Sequence, residues 1–290
     1  MPDPGSSQLI LMYPGSGPSD RHNDILFPPI REAFLAAGWA VAAFDKRGVG
    51  GSSGDWTAAD IKTQAADAMA CLRACAIEVS PTTAGLFGHS QGGWVVLEAG
   101  ADHAGVDFVI TNSGPGVSPR DQELFATRQR FRAKGRDEQD IDVIVAVMAE
   151  MFDLAVAKIG WADAAAWMVD PRRADSVRDL TGSGAFVPTD ERLWRLAGNI
   201  IDYDPRLAMR RLSVPVLAVF GGDDAVVPVM ASVESFRSHV RPDLLQVAVV
   251  AGGDHRMMSP GSPQFAGDYP ACLIDFVRSR WGASPTSCRA

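Results

Sequence analysis

Short apolar runs alternate along the chain with longer segments in which apolar residues recur every three or four positions. The short runs suit strands that are buried on both faces, and the longer segments suit amphipathic helices. Repeated strand-helix-strand units form right-handed crossovers, which predict a doubly wound α/β fold with a parallel sheet. The predicted strands are residues 9–13, 40–44, 84–87, 108–112, 214–220 and 245–250, and the predicted helices of this part are 25–38, 57–76, the segment after residue 90, 230–240 and 269–281.

The alternation stops in the middle of the chain, where only helical patterns occur. Ser118, which is followed by proline, is typical of a helix start, because serine caps free amides and proline has no amide hydrogen to lose. Residues 138–159 carry one apolar stripe and give the clearest helix of this region. We therefore predict a sheet domain formed by residues 1–117 and 203–290 and a helical cap formed by residues 118–202.

Composition narrows the possible partners. The chain has 290 residues, 47% of them hydrophobic, and a net charge of -8, which argues against nucleic acid and anionic membranes because both favour a basic patch. Residues 1–8 lack the features of a secretory signal and no apolar run is long enough to span a membrane, so we expect a cytoplasmic protein. The five histidines lack the spacing of metal ligands, so we assign no metal.

The most informative motif is Gly88-His89-Ser90-Gln91-Gly92, which lies between an apolar run and a helical pattern. A serine on a sharp strand-to-helix turn needs neighbours without side chains, because the strand and the helix come close there. The start of the following helix offers free N–H groups and a positive dipole end to negative charge that develops beside the serine. We interpret Ser90 as a nucleophile, although glycine-serine-glycine clusters also occur in ordinary loops.

Two later strands end in residues that would complete this chemistry. Asp223 and Asp224 follow residues 214–220, and His255 follows the last strand. Parallel sheets place their sites along the edge where the strands have their carboxyl ends. A serine hydroxyl needs an imidazole to take its proton, and the imidazole needs a carboxylate to orient it, so the order Ser, Asp, His predicts a catalytic triad.

At this point the chain resembles the α/β-hydrolase fold family over essentially its whole length, and most closely its bacterial esterase and acyl-peptidase branch. The resemblance rests on the serine motif, on the Gly-Gly-Asp-Asp and Gly-Gly-Asp-His turns after the last two strands, on the Asp-Lys-Arg-Gly turn from residue 45, and on the loop at 13–21. It implies that Ser90 is the nucleophile, that His255 is the general base and that Asp224 is the acid, with Asp223 as the alternative. The oxyanion hole is then expected to use the backbone N–H groups of Gln91 and Ser16.

The resemblance also implies a function and a departure from the usual fold. We expect hydrolysis of an ester or related acyl bond in a small molecule without a cofactor; a thioesterase, cyclase or aminopeptidase would share the same triad, and a non-catalytic binding protein is the third alternative. Neither the exact substrate nor the oligomeric state follows from the sequence. The two strands that usually precede residues 9–13 are absent, so a sheet of about six strands is expected, in which 40–44 is an exposed edge or is covered by a partner.

Several other side chains have two possible roles. Arg21 could bind a substrate carboxylate or form a salt bridge that braces its loop, Arg47 is expected to brace loops, and His89 is expected to be structural or to form a wall of the pocket. Apolar residues of the helical region could pack in its own core or line a hydrophobic acyl pocket. The candidate pocket residues are Met148, Phe152, Trp167, Trp194 and, after the last strand, Met257.

Overall fold

The computed structural model describes residues 7–23, 26–102 and 104–279. Within these ranges the strands form one six-stranded sheet with the order β2-β1-β3-β4-β5-β6, in which all neighbours are parallel. The α/β class, the number of strands and the edge position of β2 are thereby confirmed. The strands are β1 (Gln8–Tyr13), β2 (Ala40–Ala42), β3 (Thr83–His89), β4 (Phe108–Asn112), β5 (Val216–Gly221) and β6 (Leu245–Val250).

Helices cover both faces of the sheet. Alternate residues of β1 belong to different cores: Leu11 is part of a core that contains α2 and α3, and Ile10 is part of one that contains α1 and α11. Side chains alternate between the faces of a strand, so a strand buried on both sides is mostly apolar along its whole length. The helices are α1 (Phe27–Ala36), α2 (Ile61–Val79), α3 (Gln91–Asp102), α4 (Pro119–Ala133), α5 (Glu138–Val156), α6 (Trp161–Met168), α7 (Ala174–Ser183), α8 (Glu191–Ile200), α9 (Pro205–Arg211), α10 (Val229–His239) and α11 (Tyr269–Arg278).

Five helices, α4 to α8, follow one another between β4 and α9. The Ser118 side chain accepts a hydrogen bond from the backbone N–H of Asp121 and caps α4, and Asp137 caps α5 in the same way. The stripe predicted for 138–159 is buried over the length of α5, but Ile159 lies beyond the helix and is 37% exposed. The helix ends early because Lys158 adopts a left-handed backbone conformation, with φ 59°.

Other element boundaries differ from the predicted ones for local reasons. Strand β2 has three residues instead of five, since only three pair with β1. Helix α2 begins at Ile61 because the Asp60 side chain accepts from the backbone N–H of Thr63, and a short 3-10 turn occupies Trp56–Ala58. The predicted starts and ends at residues 25 and 281 lie outside the described residues. Within the described ranges, none of the helices combines the length and the apolar character that crossing a membrane requires.

Candidate active site

Ser90 occupies the single residue between β3 and α3. Its backbone is left-handed, with φ 54°, and this conformation costs a non-glycine residue about 1–3 kcal/mol. The strain is held by both sides of the turn, because the Ser90 N–H donates to the Asn112 carbonyl at 2.9 Å and the Ser90 carbonyl accepts from Gly93 at 2.8 Å. The turn therefore presents the Ser90 side chain at the carboxyl edge of the sheet.

The glycines around Ser90 are required by close backbone contacts. A Cβ on Gly88 would lie 2.1 Å from the Gly92 carbonyl oxygen, and a Cβ on Gly92 would lie 2.6 Å from the Tyr13 carbonyl oxygen. Both neighbours are backbone atoms that cannot rotate away. The first turn of α3 thus packs directly against β3 and the end of β1, which brings the loop after β1 next to the serine.

His255 and Asp224 complete a chain of hydrogen bonds that starts at Ser90. His255 Nε2 lies 3.0 Å from Ser90 Oγ, and its Nδ1 lies 2.8 Å from Asp224 Oδ2. The Asp224 side chain is fully buried, and its Oδ1 accepts from the backbone N–H groups of Val226 and Val227. The alternative acid, Asp223, is exposed, so the structure brings Asp224 and not Asp223 against the histidine.

A second histidine lies behind the first. The His89 ring is buried 5.0 Å from the His255 ring, and its Nδ1 lies 2.9 Å from Asn112 Nδ2. Asn112 Oδ1 in turn accepts from the Tyr269 hydroxyl at 2.5 Å. Burial, and then the neighbouring His255, lower the pKa of His89 well below its usual value, which favours the neutral form of this ring.

A cavity of about 400 Å³ opens beside Ser90. Its walls combine apolar side chains from α8 with polar side chains from α4 and from the loops after β1 and β2. The residues that line it are Tyr13, Ser16, Gly17, Lys46, Arg47, Trp56, Gln64, Ser90, Gln91, Trp94, Pro119, Gln122, Glu123, Arg130, Phe186, Leu193, Leu196, Ile200, Ile201, Val226 and His255.

The two residues predicted for the oxyanion hole, Ser16 and Gln91, both line this cavity. Gln91 begins α3, and Ser16 lies in the loop after β1. A Cβ on Gly15 would lie 3.3 Å from Ser90 Cβ, so the loop passes very close to the serine. Both segments therefore lie beside Ser90.

Lys46 was not among the site residues predicted from the sequence. It follows β2 and is buried in the wall of the cavity. Its amine donates hydrogen bonds to the carbonyl oxygens of Gly15 and, at 3.2 Å, Gly17. Burial lowers the pKa of Lys46 from 10.5 to about 7. The signals in the sequence were its position just after a predicted strand and within the Asp-Lys-Arg-Gly turn from residue 45.

The two arginines singled out from the sequence are in salt bridges. Arg21 contacts Asp45 in a bidentate pair, and this guanidinium, with two backbone N–H donors, lowers the pKa of the Asp45 carboxyl far below its usual value. Arg47 contacts Asp67 on α2 in the same bidentate way, although it also lines the cavity. Both pairs tie the loop after β2 to neighbouring segments.

A second ionisable pair in the cavity is poorly satisfied. Arg130 Nη1 lies 3.8 Å from Glu123 Oε2, and neither atom has a hydrogen-bond partner among the described residues. Gln122 donates to the other Glu123 oxygen at 3.4 Å. Burial raises the pKa of Glu123 above its usual value, and Arg130 opposes this shift. Neither residue was predicted from the sequence, since a helical pattern alone does not tell which side of α4 faces the sheet.

The five predicted pocket residues lie elsewhere. Met148 and Phe152 are fully buried inside the packed helices α4 to α8, where the sulfur of Met148 accepts a hydrogen bond from Thr127. Met257 is fully buried in the core on the α1 and α11 side of the sheet. These side chains fill interior volume, which long apolar side chains do more often than they bind ligands.

The two tryptophans are occupied by contacts within the helical segment. The Trp167 indole donates to Glu150 at 3.0 Å and stacks under the Arg173 guanidinium at 4.7 Å. The Trp194 indole donates to the Ile159 carbonyl at 2.7 Å. Neither ring lines the cavity beside Ser90. In the described part of the chain, no three His, Cys, Asp or Glu side chains come together in a group that could hold a metal ion.

Comparisons with known proteins agree with this architecture. A profile described as serine aminopeptidase, S33, matches residues 26–260, whereas a search of curated protein sequences found no match. Similar solved structures include an esterase from Pyrococcus furiosus (17% identity over 97% of this chain and 85% of that chain, TM-score 0.62). A monoacylglycerol lipase from Paleococcus ferrophilus (16%, 94% and 94%, 0.59) and a proline iminopeptidase from Mycobacterium smegmatis (18%, 95% and 90%, 0.57) are also similar. At such low identity these structures support the fold, and the profile supplies the family. The chain belongs to the serine aminopeptidase S33 family of α/β-hydrolases.

Proposed function

We propose that this α/β-hydrolase cleaves an ester or related acyl bond through an acyl-enzyme on Ser90. The observation that carries the proposal is the unbroken hydrogen-bond chain from Ser90 through His255 to Asp224, which opens onto a cavity of about 400 Å³. Cavities of this size hold small organic molecules. The substrate would be a small acyl compound, and the residues present need no cofactor for this chemistry.

In the first half-reaction, Ser90 attacks the substrate carbonyl while its proton passes to His255 Nε2. The distance of 3.0 Å between Ser90 Oγ and Nε2 is within the range for direct transfer. Asp224 accepts the hydrogen bond from Nδ1–H, so it fixes the tautomer that can take the proton and stabilises the resulting imidazolium. The two backbone bonds to its other oxygen hold the carboxylate in place.

Negative charge that develops on the carbonyl oxygen would be stabilised by the backbone N–H groups of Gln91 and Ser16. The positive dipole end of α3 adds to this effect. His255 then gives its proton to the leaving group, and the acyl group stays on Ser90. Water repeats the sequence on the acyl-enzyme, with His255 as base, and releases the acid.

We further propose that the segment 118–202 acts as a cap that encloses the substrate. Its helices contribute both kinds of cavity wall: α8 supplies Leu193, Leu196 and Ile200, and α4 supplies Glu123 and Arg130. A substrate whose apolar part packs on α8 fits this arrangement.

The second candidate is hydrolysis of an aminoacyl amide, which the description of the S33 family favours. A buried carboxyl group, Glu123, is available in the cavity for a substrate ammonium group. The guanidinium of Arg130, 3.8 Å from this carboxyl, would repel such a group, so we rank the ester first. A thioesterase or cyclase would use the same residues with a different leaving group or nucleophile.

The first test is covalent labelling of the intact protein with a fluorophosphonate probe. Wild type should label at Ser90, and Ser90→Ala should not. Ser16→Ala serves as the matched control, because it removes a hydroxyl from the same cavity but keeps the backbone N–H. Intact, folded wild type that fails to label would overturn the proposal.

The second test separates the candidates by substrate. Ester, thioester and aminoacyl-amide substrates with the same acyl group should be compared through kcat/KM. The ester proposal expects the ester to exceed the aminoacyl amide by more than their difference in uncatalysed reactivity. A preference for the aminoacyl amide would establish the second candidate instead.

A further inference from the structure

Lys46 is a buried lysine whose amine donates hydrogen bonds to the loop that carries the Ser16 N–H group. Its residue is 4% exposed, and its amine donates to the Gly15 and Gly17 carbonyls, which flank Ser16 on either side. Among the described residues no carboxylate forms an ion pair with it. The two hydrogen bonds thus tie this buried amine to the backbone on both sides of Ser16.

The geometry of one peptide group links this contact to the reaction. The Gly15 carbonyl and the Ser16 N–H belong to the same peptide unit, and no peptide bond in the described chain is cis. In a trans peptide the C=O and the N–H point in opposite directions. When Lys46 binds the Gly15 oxygen, the Ser16 N–H must therefore point away from Lys46. Gly15 lies directly against Ser90, because a Cβ on Gly15 would lie 3.3 Å from Ser90 Cβ, so the peptide that follows Gly15 is next to the serine.

We infer that Lys46 is a positioning residue for the oxyanion hole, which it serves by fixing and polarising the peptide that joins Gly15 to Ser16. The inference rests on the proposed function and on the assignment of the Ser16 N–H to the oxyanion hole. A charged donor on the carbonyl side strengthens the N–H on the other side of the peptide, since hydrogen bonds in a chain polarise one another. Preorganised N–H donors contribute most to stabilising negative charge when they do not have to reorient during the reaction.

The charged groups around Lys46 leave its own charge uncompensated. On its own loop, Asp45 is paired with Arg21, and Arg47 is paired with Asp67 on α2. From β1, the Tyr13 ring lies 5.4 Å from the amine. The remaining ionisable groups that line the cavity are His255, from the loop after β6, and Glu123 and Arg130 from α4.

Burial lowers the pKa of Lys46 to about 7, so its protonation changes near neutral pH. The neutral amine can still donate to both carbonyls, but it no longer polarises them as a cation. The contribution of Lys46 to kcat should therefore be largest below pH 7 and smaller at pH 9. Because this effect belongs to Lys46, it can be separated from the protonation of His255 by comparing two enzymes that share the histidine.

The experiment measures ester hydrolysis by wild type, Lys46→Met and Lys46→Gln between pH 6 and pH 9. Lys46→Met has a similar shape and no donor. It should lower kcat about 10- to 100-fold, which is less than the loss of about 10²- to 10³-fold seen when an oxyanion donor itself is removed, because the Ser16 N–H stays. KM should change less than about threefold. Lys46→Gln keeps one neutral donor and should recover part of the loss. The ratio of wild-type kcat to Lys46→Met kcat should fall as pH rises.

Affinity for a boronic acid gives a readout that general damage would not produce. In Lys46→Met the inhibition constant of the boronic acid should rise by the same factor by which kcat falls, because the tetrahedral adduct of the boronic acid uses the oxyanion hole. Lys62→Met makes the same chemical change at an exposed lysine and should match wild type in every measurement. Circular dichroism and melting curves establish that each variant is folded.

Three results would overturn the inference. These are a kcat for folded Lys46→Met within twofold of wild type, equal losses in kcat and in substrate affinity with an unchanged boronic acid constant, and a pH-independent ratio of the two kcat values. Failure of the proposed function is distinguishable from all three, since in that case wild type itself would show no hydrolysis that depends on Ser90.

Discussion

Replacement of Asp224 by asparagine is expected to stop the proposed reaction with little change in the fold. In Asp224→Asn the side-chain oxygen can keep the bonds from the Val226 and Val227 amides, at 2.7 and 2.9 Å. The new NH₂ group then faces His255 Nδ1, which must become an acceptor. The ring proton moves to Nε2, and Nε2 can no longer take the proton of Ser90.

The magnitude follows from this change of tautomer. In a serine protease with the same kind of triad, replacing the aspartate by asparagine lowers kcat about 10⁴-fold, which corresponds to about 5.5 kcal/mol in transition-state free energy. We expect a loss of at least about 10³-fold here, since the His255 side chain is largely buried and bulk water cannot easily replace the carboxylate. KM should change much less than kcat, because Asp224 is not among the residues that line the cavity.

The assay is steady-state hydrolysis of an activated ester at constant pH, together with a urea denaturation curve. Asp223→Asn is the matched control, because the neighbouring residue is exposed and undergoes the same chemical change. It should keep wild-type kcat within about twofold. A folded Asp224→Asn with kcat within tenfold of wild type, or an equal loss in Asp223→Asn, would refute the reasoning.

Three further predictions concern stability. Gly88→Ala should lower the free energy of unfolding by about 3 kcal/mol or more, because the new Cβ would overlap a backbone oxygen of α3. Gly182→Ala is the control on α7, where the new Cβ meets open space, and it should change the free energy of unfolding by less than about 1 kcal/mol. Equal shifts in melting temperature for the two variants would contradict this prediction. Arg130→Met alone should be destabilising by about 1–3 kcal/mol, because it leaves the Glu123 carboxyl without its cation. The double variant Arg130→Met with Glu123→Leu should be as stable as wild type or more stable, since the ion pair that it replaces is loosely bonded. A double variant that is less stable than Arg130→Met would count against this view. Because the pKa of Lys46 is lowered in the folded protein, the unfolded chain binds more protons than the folded one between about pH 7 and 10. As the pH rises through this range, wild type should therefore gain stability relative to Lys46→Met by up to about 1.4 kcal/mol per pH unit. A difference in unfolding free energy that stays constant with pH in urea denaturation would disprove this prediction.

The sheet could be predicted from the sequence because its strands are buried on both faces. Each strand then reads as a mostly apolar run, and such runs stand out against helices whose outer faces are polar. The boundaries were less accurate, since they depend on single contacts. Asp60 decides where α2 begins through one hydrogen bond to a backbone amide, and Lys158 ends α5 by its left-handed conformation.

The arrangement of Ser90, Asp224 and His255 was accessible for a related reason. A parallel sheet brings the carboxyl ends of its strands to one edge, so residues just after strands can be grouped without knowledge of their side-chain positions. The walls of the cavity do not have this property. Whether an apolar residue of α5 or α8 faces the cavity or its own helical neighbours depends on how the helices sit on one another, and Met148 shows the outcome by packing entirely inward.

The order of the strands explains why Lys46 was not predicted as a site residue although it lies close to Ser90. In the chain β2 comes between β1 and β3, but in the sheet β1 lies between the other two. The loop after β1 is therefore flanked by the loop after β2 on one side and by Ser90, after β3, on the other. A residue after β2 is therefore next to the loop after β1, and through this loop it can act on Ser90. Lys46 bonds to the Gly15 and Gly17 carbonyls on its own side of that loop, and Gly15 contacts Ser90 on the opposite side. The crossover that makes β2 an edge strand thus also places its following loop against the loop to which we assign the oxyanion N–H group.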